Sequence, residues 1–325
     1  MAIQEADDTR GRRAAQAAAV RVSAAAVVAA PAVALLAIAS LSIGAQTRGT
    51  RAPATQDFAG VWTYATMTPL ERPREFGTKE TLSEEEAAAY EHQTIERQGA
   101  TNNTAGPDWW DPGTQHLINR RTSLIVDPAD GRIPPLTAAG QQRAAARAQA
   151  RRDRGPADSV EDLALNERCL LWATAGPPML PGVYNNNVQV IVSPDYVVIF
   201  NEMIHDARIV AMDGRPHGTV RRWQGDSTGR WEQHTLVVDT INFTDKTAFR
   251  GSTDRLHLVE RFTRVDRDAI AYEFTADDPS TWTRPWTAMF PLRKSASAMY
   301  EYACHEGNAR SIEGILRGAR TLDRQ

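Results

Sequence analysis

The sequence predicts a mainly β protein, an antiparallel meander that closes into a barrel, with helices confined to the N-terminal half. Three observations carry this reading. From Val188 onward, short runs rich in β-branched and aromatic residues recur with turn residues between them, the texture of a sandwich or barrel. About nine such runs follow one another through short connections, a number at which a hairpin-linked sheet curls or closes. Before Val188, apart from short strand signals at Asp57–Trp62 and Ser123–Val126, the pattern is helical or irregular.

The chain of 325 residues opens with Arg10, Arg12, Arg13 and Arg21, followed by an Ala/Val/Leu run from Ser23 to Ile43 and then Arg48. A basic segment before an apolar one is the order of an export signal, with Ile43-Gly44-Ala45 as a loose cleavage site. Residues 1–45 are therefore expected to be a signal peptide, 46–57 a polar tether, and 58–325 a single β-rich domain. A periplasmic or secreted protein follows. The apolar run approaches the ~20 residues that span a bilayer, so an uncleaved anchor is the alternative.

The domain begins with Asp57-Phe58-Ala59-Gly60-Val61-Trp62, a strand signal whose Gly-x-Trp resembles the start of lipocalin-like barrels. Helical insertions are expected around 82–97, where Ser83 and Glu86 form a capping box, and around 137–152, an Ala/Arg-rich stretch without an apolar stripe. Ser123–Val126 is a short strand ended by Asp127-Pro128. The β half then reads as strands at Val188–Val192, Tyr196–Met203, Arg208–Met212, Val220–Trp223, Trp231–Thr240, Leu256–Val265, Ala269–Thr275, Trp286–Leu292 and Met299–Cys304. Turns are expected at Ser193–Asp195, Gly225–Gly229 and Asp266–Asp268.

Composition narrows the function. A net charge of -3 and the absence of a dense basic run exclude the electrostatic footprint of a nucleic-acid binder. Beyond the export signal nothing calls for a membrane partner, which leaves a small-molecule ligand or substrate. No nucleophile elbow, phosphate loop or dinucleotide fingerprint is present. Cys169 and Cys304, the only cysteines, can form one disulfide in an oxidising compartment, or remain two buried thiols.

Alternation along the strands places a carboxylate on the apolar face of three of them: Glu202 with Val198 and Phe200, Glu260 with Leu258 and Phe262, and Glu301 with Met299 and His305. A buried carboxylate must be paired, hydrogen-bonded, metal-bound or wet. Two arrangements satisfy this. One is a polar pocket inside the barrel built on Glu202, Glu260, Glu301 and His305; the other is ion pairing with Arg208, Arg250, Arg261 or Arg284. A one-residue register change would exchange the faces. In the pocket reading, His205 or His305 acts as acid and base with the glutamates as partners, and Asn187, Arg208 and Trp286 orient a substrate. His205, His217 and His305 are the imidazoles that would hold one divalent metal if a metal is present, although no H-x-H or H-E-x-x-H spacing supports one. Trp282, Trp109 and Trp110 are candidate stacking residues, with core packing as their alternative.

The segments Thr68–Pro73, Arg121–Pro128, Tyr184–Asn187, Asn201–Arg208, Asp213–His217, Asn242–Thr247, Thr281–Thr287 and Cys304–Asn308 resemble those of a family of exported, largely uncharacterised β-rich proteins of environmental bacteria. The resemblance spans nearly all of the chain after the signal and implies export and one β-rich unit. The sequence departs from that pattern at Gln233-His234, where the family carries Gly-Asp.

The expectation is an exported enzyme of hydrolase or lyase type, acting on a small polar substrate, carbohydrate derivatives among the candidates, by His/Glu acid–base chemistry in a barrel pocket. The alternative is a lipocalin-like protein that binds a small molecule without chemistry.

Overall fold

Hydrogen bonding in a strand-rich chain is satisfied best when no edge is left open, and this protein reaches that state by closing its sheet into a ring. The computed structural model describes residues 58–101, 116–153, 157–247 and 249–322. The export signal, the tether, Trp109 and Trp110 lie outside the described residues.

The elements in chain order are β1 (Gly60–Thr63), α1 (Glu84–Thr101), β2 (Ile125–Asp127), α2 (Ala138–Asp153), β3 (Asn187–Val192), β4 (Tyr196–Asn201), β5 (Ala207–Ala211), β6 (Asp226–Glu232), β7 (Thr235–Ile241), β8 (His257–Asp266), β9 (Ala269–Asp277), β10 (Trp286–Lys294) and α3 (Asn308–Leu322). Among the described residues nine strands form the ring in the order β1-β3-β4-β5-β6-β7-β8-β9-β10, and β10 returns to β1 through Trp62↔Lys294 and Thr63↔Arg293. β2 adds to β10 beside this closure. Every pairing is antiparallel except β5 with β6, which run parallel at Val210↔Ser227 and Ala211↔Thr228. The barrel is therefore mixed rather than a pure meander. Residues 212–225 carry the chain back along the wall before β6 begins.

One expected turn and two expected strands differ. The stretch Gly225–Gly229, with its turn composition, is mostly strand: β6 pairs with β7 along its whole length, and the turn falls at Gln233-His234. Tertiary pairing overrides local propensity here. Gly229 is required because a Cβ would stand 2.6 Å from the Met212 sulfur and 2.7 Å from a Val210 methyl. Gln233 takes φ 53, a left-handed conformation that a glycine would adopt without strain. Val220–Trp223 contributes only an isolated bridge, Arg222↔Phe243. Met299–Cys304 is not a strand, because β10 is already paired with β9, β2 and β1 and offers no edge. The chain leaves the barrel there and ends in α3, an amphipathic helix absent from the expectations.

Side chains fill the barrel. Trp62, Val188, Ile199, Leu236, Phe262, Tyr272, Phe274 and Phe290 are essentially inaccessible, and the aromatic rings touch, Tyr272 and Phe290 edge to face with centroids 5.0 Å apart and Phe262 and Tyr272 tilted at 4.8 Å. Each such ring contributes ~1.5–3 kcal/mol by burial, with a further ~0.5–1.5 kcal/mol for the ring pair. In β4 the inward set is Val197, Ile199 and Asn201, so the expected Val198/Phe200 face points outward, the one-residue reversal to which strand reading is exposed.

The helices pack outside. α1 starts at the expected capping box, with Glu86 N–H donating to Ser83 Oγ (3.2 Å) and Ser83 N–H to the Glu86 carboxylate (2.8 Å). Leu82 and Ala87 join Met67 and Leu117 in a small satellite core. α2 is exposed apart from Gly140, whose missing side chain lets the Thr281 carbonyl approach. Among the described residues no helix is long and apolar enough to cross a membrane.

Candidate functional site

The two ends of the barrel differ. At one end the connections are hairpins, Ser193–Asp195, Gln233-His234 and Arg267-Asp268; at the other lie residues 202–206, 242–256, 278–285 and the segment leading into β3. Long connections are where side chains can be arranged without breaking the ladder, and most of the ionisable groups singled out from the sequence gather at that end.

Inside the wall, Glu260 projects from β8 with no exposed surface and faces Arg208 of β5. The pair is bidentate: one guanidinium nitrogen contacts Glu260 Oε2, and Arg208 Nη2 donates to Oε1 at 2.9 Å. The Tyr272 hydroxyl donates to Oε1 at 2.7 Å and accepts the Met179 N–H at 3.0 Å. Burial works against the Arg208 charge, and the Glu260 carboxylate more than restores it. Burial, reinforced by Glu260, holds Tyr272 far above the usual phenol range. Every Glu260 oxygen is thus occupied, and the inner glutamate belongs to an ion pair rather than to a polar pocket.

Glu202, just past β4, is also buried, but its partners are different. Its Oε2 accepts the Asn187 side-chain amide at 2.6 Å and its Oε1 the Tyr300 N–H at 3.2 Å. Asn187, expected to orient a substrate, therefore orients Glu202. Beyond it the backbone is strained: Ile204 and His205 have φ 50 and 53, and a β-branched residue there is an outlier. The bend turns His205 outward, where its Nδ1 accepts the Tyr302 N–H at 3.0 Å and its ring lies 5.6 Å from Phe200. It then presents Asp206, whose Oδ2 is buried without a hydrogen-bond partner. Burial raises the Asp206 carboxyl to about 6, against the pull of Gln224 and Arg208. A carboxyl poised there can exchange a proton near neutral pH. In the sequence Asp206 stands only as one position of the Asn201–Arg208 segment, with nothing local to separate it from its neighbours.

The remaining expected residues lie apart. Glu301 and His305 are exposed in the segment outside the barrel, because the strand meant to carry them does not form. Trp286 is fully buried against Phe274, Trp282 and Phe249, and stacks on the last at 17°. It is core, and its Nε1 has no partner. His205, His217 and His305 do not converge, and among the described residues no group of three or more His, Cys, Asp or Glu side chains is placed to hold a metal.

Sequence reasoning missed a chain of ionisable groups on the outer wall. Asp226 Oδ2 lies 3.2 Å from His217 Nδ1; His217 Nε2 lies 2.9 Å from Asp239 Oδ1; Asp239 Oδ2 lies 2.8 Å from His257 Nε2. The Gly218 N–H also donates to Asp226 at 2.8 Å. These contacts fasten residues 212–225 to β6 and β7 and link β7 to β8. The outward phase of Asp239 and His257 was readable, but their proximity depends on register.

Cys169 and Cys304 are joined, with Cα atoms 5.9 Å apart, and tie the final segment to residues 157–186. Beneath that loop a cleft of about 1120 Å³ opens between residues 161–180, the end of α2 and Lys246–Arg250. Its floor is apolar, formed by Leu171, Trp172, Leu180 and Phe249, with Arg151, Arg168, Lys246 and Arg250 around it.

Compared with known protein families, curated proteins and solved structures, the chain matches none.

Proposed function

We propose that this is an exported barrel protein that binds a small organic molecule in the cleft at its long-connection end. The observation that carries this is the cleft itself: its volume is slightly above the usual range for small-molecule sites, and it has an apolar floor and a polar rim. The barrel interior offers no comparable space, since its glutamate is paired and its lumen holds aromatic side chains. The resemblance to lipocalin-like carriers thus rests on the closed barrel, while the site moves from lumen to mouth. Export is supported by the basic-then-apolar N-terminus and by the disulfide, a bond that persists in oxidising compartments.

A second reading, an enzyme of hydrolase or lyase type, is favoured by Asp206. Its raised carboxyl, beside Arg208 at the same end, is suited to general acid–base work. One experiment separates the two. A panel of small aromatic and sugar-derived molecules is incubated with the wild type, with Ala173→Trp, which fills the cleft from an exposed position, and with Asp206→Asn, and each mixture is followed by proton NMR. Carrier function predicts line broadening that Ala173→Trp removes, with every molecule recovered unchanged. New resonances that disappear with Asp206→Asn would instead establish the enzyme. Broadening that survives Ala173→Trp would remove the cleft from both readings.

A further inference from the structure

The cleft has a charge pattern that narrows what it can hold, given the binding reading above. Four cations from three separate segments meet around it: Arg151 from the end of α2, Arg168 from the disulfide-tied loop, and Lys246 and Arg250 from the β7–β8 connection. Among the described residues none of the four has a side-chain hydrogen bond or ion pair. Elsewhere on this net-negative chain several arginines find carboxylates, among them Arg208 with Glu260, Arg215 with Asp213, Arg221 with Asp254, Arg261 with Glu232 and Arg284 with Asp127; what sets the four apart is that they line one cleft.

Acidic groups are present in the cleft, yet two of its three are engaged with backbone. Asp162 Oδ2 accepts the Ser159 N–H at 2.7 Å, and Glu167 Oε2 accepts the Ala164 N–H at 2.7 Å. Glu161 is the third, and it is exposed. The cleft's charged donors are those of the basic side chains, beside neutral ones on Asn166 and Trp172. Arg250 is moreover held at φ 48, an uncommon conformation for a residue with a side chain. The turn that holds it is anchored by Thr247, whose hydroxyl donates to the Trp223 carbonyl at 2.9 Å, and by the Ser252 N–H on the Phe249 carbonyl at 2.9 Å. Trp172, part of the apolar floor, is half-buried, with its ring 5.8 Å from Tyr302.

We infer that the cleft takes an organic anion, a molecule with an apolar or aromatic body and a carboxylate or phosphate head. The body lies against Leu171, Trp172, Leu180 and Phe249, and the head is held by Arg168 and Arg250 with Lys246 and Arg151 at the rim. Guanidinium groups suit such heads because their paired N–H donors match two oxygens at once.

Isothermal titration of the intact, oxidised protein with benzoate, phenyl phosphate, benzyl alcohol and inorganic phosphate tests this. Benzoate or phenyl phosphate is expected to bind, to weaken about tenfold or more in Arg168→Gln/Arg250→Gln, and to weaken with added salt. Benzyl alcohol binding as tightly as benzoate, with the double variant unchanged, overturns the anion and leaves the cleft as a binding site. Inorganic phosphate binding as tightly as phenyl phosphate overturns the apolar body. No binding by any of the four overturns this inference, and wild-type broadening in the NMR panel that is absent or survives Ala173→Trp overturns the reading on which it rests as well.

Discussion

Arg208 and Glu260 face each other across the barrel interior, joined by two hydrogen bonds and both almost completely removed from solvent. Each charge alone would be prohibitive there, and each is tolerable only because the other is present. Removing one partner should therefore cost more than removing both. Glu260→Leu leaves the guanidinium uncompensated and is expected to lower stability by about 3–5 kcal/mol. Adding Arg208→Met to that variant should restore most of the loss. Urea unfolding of the two single variants and the double variant measures the coupling; additive losses would show that the pair does not act as a unit.

The outer-wall pairing of Asp239 with His257 ties stability to pH. The His257 hydrogen bond holds the Asp239 carboxyl below its ordinary value, and Asp239 holds the His257 imidazole above its own. The lowered acid contributes stability above about pH 3.9 that is lost as pH falls through its folded value. The raised base contributes stability below about pH 6.5 that is lost as pH rises through its folded value. Both contributions are complete between about pH 4 and 6.5. With Asp239→Asn, the urea midpoint should lose its dependence on both flanks, and the His257 ring resonances should titrate closer to the free-imidazole value. Unchanged His257 titration in that variant would disprove the contact.

The Cys169–Cys304 bond closes a loop with 135 residues of sequence separation. By loop entropy, cutting it should lower stability by about 5 kcal/mol. Its position predicts a local effect as well. α3 and residues 295–307 have no strand pairing to hold them, so hydrogen exchange there should rise on reduction well before exchange in β7 to β9. Uniform acceleration across the protein would show instead that the bond serves the barrel as a whole.

The same physics explains which parts of this protein could be read from its residues. Barrel class, the β8–β9–β10 series, the capping box at Ser83 and the inward direction of Glu260 follow from alternation and local hydrogen bonding, which act within a few residues of sequence. The candidate site was less legible. Glu202 and Glu260 were found because a carboxylate interrupts an apolar run, but their partners Asn187, Tyr300 and Arg208 come from other strands. Glu301 and His305 were misplaced because ring closure, decided by β1 returning to β10, left no edge for the strand meant to carry them.

By itself, then, the sequence determined that a long β-rich chain would curl into a barrel with helices ahead of it, because period-two patterning and turn chemistry are local. The parallel step at β5–β6, the His217–Asp239–His257 chain, the pairing that occupies Glu260 and the gathering of Arg151, Arg168, Lys246 and Arg250 were decided only by the tertiary structure. Register and closure bring together residues tens of positions apart, and no local preference encodes which of them will meet.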